Sequence, residues 1–218
     1  MNHQNRKHYP IGQKPIHLTY RLYGSIPKNY DAQLKDRRDQ ALTVAKEESL
    51  KYPSGIGGQF LVKRTFEIIA HYELALDSFL HENSNGPYHL SKPEIAAEII
   101  KSYQFLHDKR QLYVYVVCVM SNHVHAIVRA PDEMEEVASG LIMSRHKSHT
   151  ARKCNVILGL TGLSFWEDDY FDRTVRDGKF TTVMWYVLNN PVKAGLVDNW
   201  REWPHCWLNP EYELLFTP

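Results

Sequence analysis

Two histidines separated by one residue, His123 and His125, are the residues of this sequence whose types and spacing most directly indicate chemistry. They lie in the segment VVCVMSNHVHAIVR (residues 116–129), whose apolar and β-branched content predicts strand structure. Side chains alternate between the two faces of a strand, so both imidazoles project to one side. Two imidazoles on one rigid face can hold a divalent metal, although the same spacing also fits two packed, hydrogen-bonded histidines.

A second pair, Tyr186 and Asn190, lies in the segment FTTVMWYVLNNPVKAG (residues 180–195). The pattern predicts a helix from about 179 to 190 that is stopped by Pro191, and residues four apart share a helix face. Tyr186 offers a phenolic oxygen, and the amide oxygen of Asn190 could bind a hard cation such as Mg²⁺ or Mn²⁺. The alternative is that Tyr186 packs in the core and that Asn190 only caps the helix.

Basic residues without neighbouring acids occupy the segment from Met143 to Cys154, which indicates a local surface for phosphate groups. A solvated helix face is the competing interpretation. The candidate nucleic-acid contacts are Arg145, Lys147, Arg152 and Lys153 in this segment, together with Arg21, Lys28, Arg173 and Arg176 elsewhere.

The acidic run Glu167-Asp168-Asp169 has two interpretations. It could supply a metal contact, or its carboxylates could form surface ion pairs with neighbours such as Arg173 and Arg176.

Composition places few limits on function. The 218 residues carry a formal net charge of +1, so no overall basic bias indicates a nucleic-acid-binding protein. Three widely spaced cysteines fit neither a disulfide framework nor a zinc cluster, which predicts a reduced, cytoplasmic protein. No apolar run reaches the roughly 18 residues needed to cross a bilayer, and the N-terminus has no secretory signal.

The elements that must position these residues can be predicted from hydrophobic periodicity and turn residues. The predicted strands are 17–23, 111–120, 123–129 and 163–174. The predicted helices are 30–52, 65–81, 94–107, 133–153 and 179–190. Ser91 is the predicted N-cap of the helix at 94–107. If the first two helices are treated as insertions and left out, the order of the remaining elements is βαββαβ. This order predicts an α+β, ferredoxin-like antiparallel sheet with helices on one face. We expect one domain over residues 1–218, with a flexible arm at 1–15, a helical insertion at 28–90, a C-terminal helix carrying Tyr186, and a packed tail at 198–218. The tail contains Trp200, Trp203 and Trp207.

Several ordered segments together resemble the HUH single-strand DNA transposases with one catalytic tyrosine, and most closely the REP-associated tyrosine transposases. These segments are VMSNHVHAIV, SFWEDDYFDRTVRD and WYVLNNPVKAGLV, with YRLYGSIP near the start and SRHKSHTARK after the histidines. The resemblance covers the chain from about Leu18 to Trp207. Each motif is weak alone, but their order is specific.

The resemblance implies roles for individual residues. His123 and His125 fall on the metal-ligating histidine pair, and Tyr186 falls on the nucleophile. Related insertion-sequence transposases commonly have a glutamine as third ligand one turn after the tyrosine, and here that position is Asn190. Its shorter side chain leaves open direct ligation, ligation through a water, or a carboxylate ligand from the run at 167–169.

The resemblance also implies the activity and the partners. It predicts a Mg²⁺- or Mn²⁺-dependent enzyme that cleaves and rejoins single-stranded DNA at hairpin-forming repeats through a 5′-phosphotyrosine intermediate, acting at the nucleoid as a monomer or a homodimer. Two other function classes remain open from the residues alone. One is a hairpin-binding protein derived from a transposase but without cleavage activity, and the other is an unrelated His-x-His metallohydrolase.

Overall fold

The computed structural model describes residues 8–82 and 86–216. The chain divides into two compact units, one formed by residues 24–86 and the other by residues 1–23 together with 87–218. The elements are β1 (Ile16–Arg21), α1 (Lys28–Ser49), α2 (Ser54–Glu82), α3 (Pro93–Asp108), β2 (Tyr113–Val119), β3 (His123–Arg129), α4 (Ser139–Leu158), β4 (Phe171–Thr174), α5 (Phe180–Leu188), α6 (Asn190–Lys193) and β5 (Cys206–Leu208). Short 3-10 helices lie at His89–Ser91, Trp200–Glu202 and Pro210–Leu215.

The larger unit is built on a five-stranded sheet with the strand order β4–β1–β3–β2–β5. Every neighbouring pair of strands is antiparallel. Strands β2 and β3 form the predicted hairpin, α3 connects β1 to β2 after the helical unit, and α4 connects β3 to β4. The predicted ferredoxin-like α+β fold is therefore confirmed, with β5 extending the sheet beyond β2.

Alternate residues of β3 divide between two apolar clusters, one on each face of the sheet. Val124 belongs to the cluster formed with Ile99 of α3 and Met143 of α4. Ile127 belongs to the cluster formed with Met184 of α5. Helices α3 and α4 thus cover one face, and the short helix α5 packs on the other.

The start of α4 differs from the prediction, which placed it near residue 133. The backbone of Val137 pairs with that of Ile11 through two hydrogen bonds of 2.9 and 2.8 Å. A residue whose N–H and C=O are used in a bridge cannot also make helical hydrogen bonds, so the helix begins only at Ser139. It continues past the predicted end at 153 and stops at Gly159, whose left-handed conformation (φ 68°) caps it.

The predicted cap of α3 is also wrong. Ser91 closes the preceding 3-10 turn, and its hydroxyl donates to the carbonyl of Tyr88 at 2.7 Å. Pro93 disfavours helical geometry in the residue before it, so the extended Lys92 is the N-cap and the helix starts at the proline.

The fourth strand is shorter than predicted and covers only Phe171–Thr174. The ammonium of Lys147 donates to the backbone carbonyls of Glu167 and Asp168, at 2.6 and 2.7 Å. Those carbonyls are therefore bound by a side chain, and the segment before 171 makes only an isolated bridge between Trp166 and Leu22.

The two helices of the smaller unit, α1 and α2, form a helical hairpin. Tyr30 stacks on Phe79 with ring centroids 4.1 Å apart. The sequence predicted a long break after Tyr52, but α2 already begins at Ser54. Gly57 explains this close connection, because a Cβ there would lie 2.3 Å from the carbonyl oxygen of Ser49.

The predicted flexible arm covers residues 1–15. Its first part, residues 1–7, lies outside the described residues. From His8 onward the chain is anchored, since Ile11 is fully buried and His8 contacts Asp169 and Asp172 at 3.1 and 3.0 Å. Burial alone would lower the pKa of His8, but the hydrogen bonds to these two carboxylates outweigh it and raise the pKa to about 9.

At the other end of the described chain, β5 pairs with β2, and the indole N–H of Trp203 donates to the carbonyl of Val119 at 3.0 Å. None of the helices within residues 8–82 and 86–216 is both long and apolar enough to cross a bilayer.

Candidate active site

The candidate site lies on the sheet face that is covered by α5. Strand β3 is central, and its residues His123 and His125 share that face with Ile127. On the neighbouring strand β1, Thr19 is paired with His125 and Arg21 with His123. The register of two buried strands therefore fixes which side chains surround the histidine pair.

The two imidazoles converge on each other. Nε2 of His123 and Nε2 of His125 are 3.0 Å apart, and both side chains are almost fully buried. The Nδ1 of His123 is 2.8 Å from the side-chain oxygen of Asn122, to which an Nδ1–H donates. This arrangement leaves Nε2 of His123 as the ring's electron-pair donor.

The Nδ1 side of the His125 ring contacts residues of strand β1. Its Nδ1 is 3.1 Å from Nε2 of His17 and 3.1 Å from Oγ1 of Thr19. With the hydrogen on Nδ1, the Nε2 of His125 is also an electron-pair donor, aimed toward that of His123. Both rings thus have a hydrogen-bond partner on the side away from their convergent nitrogens.

This donor set fits a divalent metal. Two adjacent ligands of an octahedral ion with bonds of about 2.1 Å are separated by about 3.0 Å, which is the spacing of the two Nε2 atoms. Imidazole is a common ligand for divalent transition metals. His123 and His125 therefore form the part of the predicted metal site that the structure brings together.

Tyr186 lies in α5 and is half-buried. Its ring centroid is 5.9 Å from that of His125 and 5.9 Å from that of His17, with the rings edge-on. The ammonium of Lys193 in α6 lies 3.8 Å from the centre of the Tyr186 ring. The predicted nucleophile is thus beside the predicted metal ligands and beside a cation.

Asn190 does not lie in the same helix as Tyr186, in contrast to the predicted helix 179–190. Pro191 cannot donate a backbone hydrogen bond, so α5 ends at Leu188 and a new turn, α6, starts at Asn190. The amide nitrogen of Asn190 donates to the carbonyl of Tyr186 at 3.0 Å. Its fully buried Oδ1 finds no hydrogen-bond donor among the described residues. Metal ligation by this oxygen remains a prediction.

The acidic run is engaged in contacts with basic groups. Glu167 lies 3.6 Å from the guanidinium of the buried Arg21, and Asp169 contacts His8. Burial lowers the pKa of Lys147, against the raising effect of the acids 167–169 around it. Its ammonium donates hydrogen bonds to the backbone carbonyls of Glu167 and Asp168 and so stabilises the backbone of this segment.

The other predicted DNA-contact residues differ in exposure. Arg145, Arg152 and Lys153 are exposed on α4, Arg176 is exposed after β4, and Arg173 is half-buried on β4. Lys28 is exposed at the start of α1, in the unit of residues 24–86. Contact of these residues with DNA remains a prediction.

Sequence reasoning missed four residues around the site: His17, Thr19, Asn122 and Lys193. The period-2 pattern of strand β1 places His17 and Thr19 on one face, which was the available signal. Nothing in the sequence indicated that this face meets His125, which lies more than 100 residues later.

Comparison with known proteins gives a family match for the central region. Residues 88–190 match the family model described as "Transposase IS200 like", and this range contains His123, His125, Tyr186 and Asn190. No curated protein matches the sequence significantly.

Two solved structures are similar to this chain. One is a REP-associated tyrosine transposase bound to a REP hairpin, with a TM-score of 0.52, 14% identity, and coverage of 99% of this chain and 88% of that one. The other is a candidate transposase from Deinococcus radiodurans R1, with a TM-score of 0.38, 11% identity, and coverage of 87% and 98%. Residues 88–190 are therefore similar to the IS200-like transposases, and the fold of the chain is similar to that of a REP-associated tyrosine transposase.

Proposed function

We propose that this protein is a metal-dependent single-strand DNA endonuclease and strand transferase that cleaves and rejoins DNA at hairpin-forming repeats through a 5′-phosphotyrosine intermediate. The observation that carries the proposal is the proximity of Tyr186 to the histidine pair. Its ring lies 5.9 Å from that of His125, whose Nε2 is 3.0 Å from Nε2 of His123. The candidate nucleophile and the two candidate metal-ligating nitrogens thus lie on one face of the sheet.

The reaction is a transesterification. The phenolic oxygen of Tyr186 forms a bond to phosphorus and loses its proton, while the bond from phosphorus to the 3′ oxygen breaks and that oxygen takes up a proton. The products are a 5′-phosphotyrosine and a free 3′-OH. Because one phosphodiester is exchanged for another, a second 3′-OH can reverse the step without a nucleotide cofactor.

The chain's own residues position the reacting groups. Helix α5 holds Tyr186 against the sheet through its buried neighbours Met184 and Val187. When bound to His123 and His125, a divalent cation such as Mg²⁺ or Mn²⁺ supplies charge that neutralises and orients the scissile phosphate. Asn190 is the candidate for a further ligand.

The proposed partner is single-stranded DNA with hairpin repeats. The similar transposase structure is bound to a REP hairpin. In this chain the exposed cations of α4 offer phosphate contacts that are independent of sequence. The proposal is compatible with a monomer or a homodimer, and a chromosomal substrate would place the protein at the nucleoid.

The test is the formation of a covalent adduct. The protein is incubated with 3′-labelled single strands that carry the host's repeated hairpins, because the 3′ fragment is the one that stays on the tyrosine. We expect a labelled species that survives denaturing electrophoresis, requires Mg²⁺ or Mn²⁺, and is absent in Tyr186→Phe. The released 5′ fragment should carry a 3′-OH that a polymerase extends.

Tyr212→Phe is the matched control, because it removes another half-buried phenol, one that packs against Tyr115. It should form the adduct normally. Absence of any adduct from the folded, Mn²⁺-supplied protein would contradict the proposal. Hairpin binding that persists with a chelator and without strand cleavage would support a non-catalytic binding protein instead.

A further inference from the structure

We propose that His17 is a positioning residue that holds His125 in the tautomer and orientation required for metal binding. This inference rests on the proposed function only in treating His125 as a metal ligand. Nε2 of His17 lies 3.1 Å from Nδ1 of His125, and the two rings are nearly parallel, with centroids 5.2 Å apart and planes inclined by 22°. Both side chains are buried.

The register of the sheet fixes the positions of His17 and His125 relative to each other. His17 is paired with Ile127, and His125 is paired with Thr19. His17 and His125 are therefore diagonal neighbours on one face of two hydrogen-bonded strands, where long side chains can reach each other. The contact does not depend on a loop.

The direction of the hydrogen bond follows from the chemistry of the site. A metal-ligating Nε2 must carry an electron pair, so the hydrogen of a neutral His125 ring is on Nδ1. The acceptor for this hydrogen is Nε2 of His17, which requires the hydrogen of His17 to be on its own Nδ1. Metal-ligating histidines generally donate their second N–H to such a partner, which fixes the ring orientation.

Thr19 is the second neighbour of the same nitrogen. Its Oγ1 lies 3.1 Å from Nδ1 of His125 and 3.5 Å from Nε2 of His17. Its hydroxyl can accept from His125 as well, but it can also rotate and donate, so by itself it does not select a tautomer of His125. With its hydrogen on Nδ1, the imidazole of His17 offers one acceptor in a fixed plane.

His17 also contacts the nucleophile. Its ring centroid lies 5.9 Å from that of Tyr186, with the planes at 76°. Two different substitutions of His17 must therefore distinguish its hydrogen bond to His125 from its packing against Tyr186. His17→Phe keeps an aromatic ring beside Tyr186 and removes the acceptor, whereas His17→Gln restores an acceptor oxygen without a ring.

The first measurement uses the wild-type protein loaded with Mg²⁺, which is diamagnetic, and needs no activity. Long-range ¹H–¹⁵N NMR of the histidine side chains reports which ring nitrogens of His17 and His125 carry the hydrogen. We expect Nδ1–H for both residues, so that Nε2 of His17 accepts from His125. Finding Nε2–H on His17 would overturn the inference, even if no variant folds.

The second measurement is Mn²⁺ binding, followed by electron paramagnetic resonance and calorimetry. We expect His17→Phe to bind Mn²⁺ roughly 10- to 100-fold more weakly and His17→Gln to remain within about threefold of wild type. His149→Phe is the control, because it replaces an exposed imidazole on α4, which packs on the opposite face of the sheet. Wild-type Mn²⁺ affinity in a folded His17→Phe would overturn the inference.

The two proposals can fail separately. Nδ1–H on His17 in the Mg²⁺-loaded wild type and loss of Mn²⁺ affinity in His17→Phe, with no DNA adduct in the wild type, would support His17 as a positioning residue and reject the strand-transfer function. An intact adduct reaction in wild type, together with unchanged Mn²⁺ affinity in His17→Phe, would do the reverse.

Discussion

At the scale of single residues, the histidine pair is oriented before any metal binds. His123 is held by Asn122, and His125 is held by His17 and Thr19, in each case through the nitrogen that points away from the other ring. Buried side chains with fixed partners lose little further freedom on binding a ligand, so such a site is preorganised.

Lys193 provides a prediction at this scale. Its ammonium lies 3.8 Å from the centre of the Tyr186 ring, and a cation over an aromatic face contributes about 0.5–1 kcal/mol at an exposed position such as this one. We expect Lys193→Met, which keeps the length of the side chain, to slow adduct formation by roughly 2- to 5-fold, because the tyrosine loses an attractive contact that fixes its ring. Single-turnover kinetics at saturating hairpin DNA measure this rate.

Lys193→Arg should restore most of the rate, since a guanidinium also stacks on aromatic rings. Lys179→Met, at the start of α5, is the control for general loss of positive charge, because Lys179 is exposed. Equal rates for Lys193→Met and wild type would show that this contact has no role in the reaction.

At the scale of elements, the break between α5 and α6 determines where Asn190 lies. Pro191 interrupts the helix, and the amide of Asn190 bridges the break by donating to the carbonyl of Tyr186. The buried Oδ1 without a donor among the described residues is an energetic cost of about 1–3 kcal/mol unless another group uses it. A cation or a water is the kind of partner that fits an amide oxygen.

Asn190→Asp tests metal ligation at this element. If Oδ1 is a ligand, a carboxylate of the same size strengthens Mn²⁺ binding, and we expect at least a threefold lower dissociation constant by calorimetry. In the metal-free protein the same substitution should lower the free energy of unfolding, because it buries a charge. Asn189→Asp, on the neighbouring helix cap, is the control. Unchanged or weaker Mn²⁺ binding in Asn190→Asp would exclude this oxygen as a ligand.

At the scale of the whole molecule, the core on the α3 and α4 face contains a polar network. His146 is buried, its Nε2 lies 2.7 Å from the hydroxyl of Tyr20, and its Nδ1 lies 2.8 Å from the hydroxyl of Ser102. Burial, with smaller effects from His149 and Lys147, lowers the pKa of His146 to about 3. The network is therefore stable only with a neutral imidazole.

This network predicts acid sensitivity of the entire fold. Below pH 6.5 the unfolded chain binds a proton at His146, whereas the folded chain does not until about pH 3. The free energy of unfolding should therefore fall by up to about 1.4 kcal/mol per pH unit from this residue as the pH drops through that window. Urea unfolding at pH 7 and pH 5 measures the change.

In His146→Gln the loss between pH 7 and pH 5 should be smaller than in wild type, because glutamine can keep hydrogen bonds to both hydroxyls and does not titrate. His71→Gln, an exposed histidine of α2, is the control and should behave like wild type. The same pH dependence in all three proteins would refute the role of His146.

The sequence by itself determined the chemistry-bearing residues and the order of the elements. Strand alternation placed His123 and His125 on one face, because this pattern depends on local backbone geometry. Helix periodicity predicted Tyr186 and Asn190 in one helix, but α5 ends at Leu188, before Asn190. The βαββαβ order followed from the same local patterns, and the ordered motifs indicated the transposase family that the match over residues 88–190 supports.

Only the tertiary structure decided which distant groups meet. The contact of His17 with His125 depends on strand pairing between residues 108 positions apart, and local patterns carry no information about such pairing. The late start of α4 has the same cause, since the partner of Val137 is Ile11. The sequence therefore determined the ligands and the nucleophile, whereas the sheet register determined the groups that orient them, because register is set by long-range burial and not by neighbouring residues.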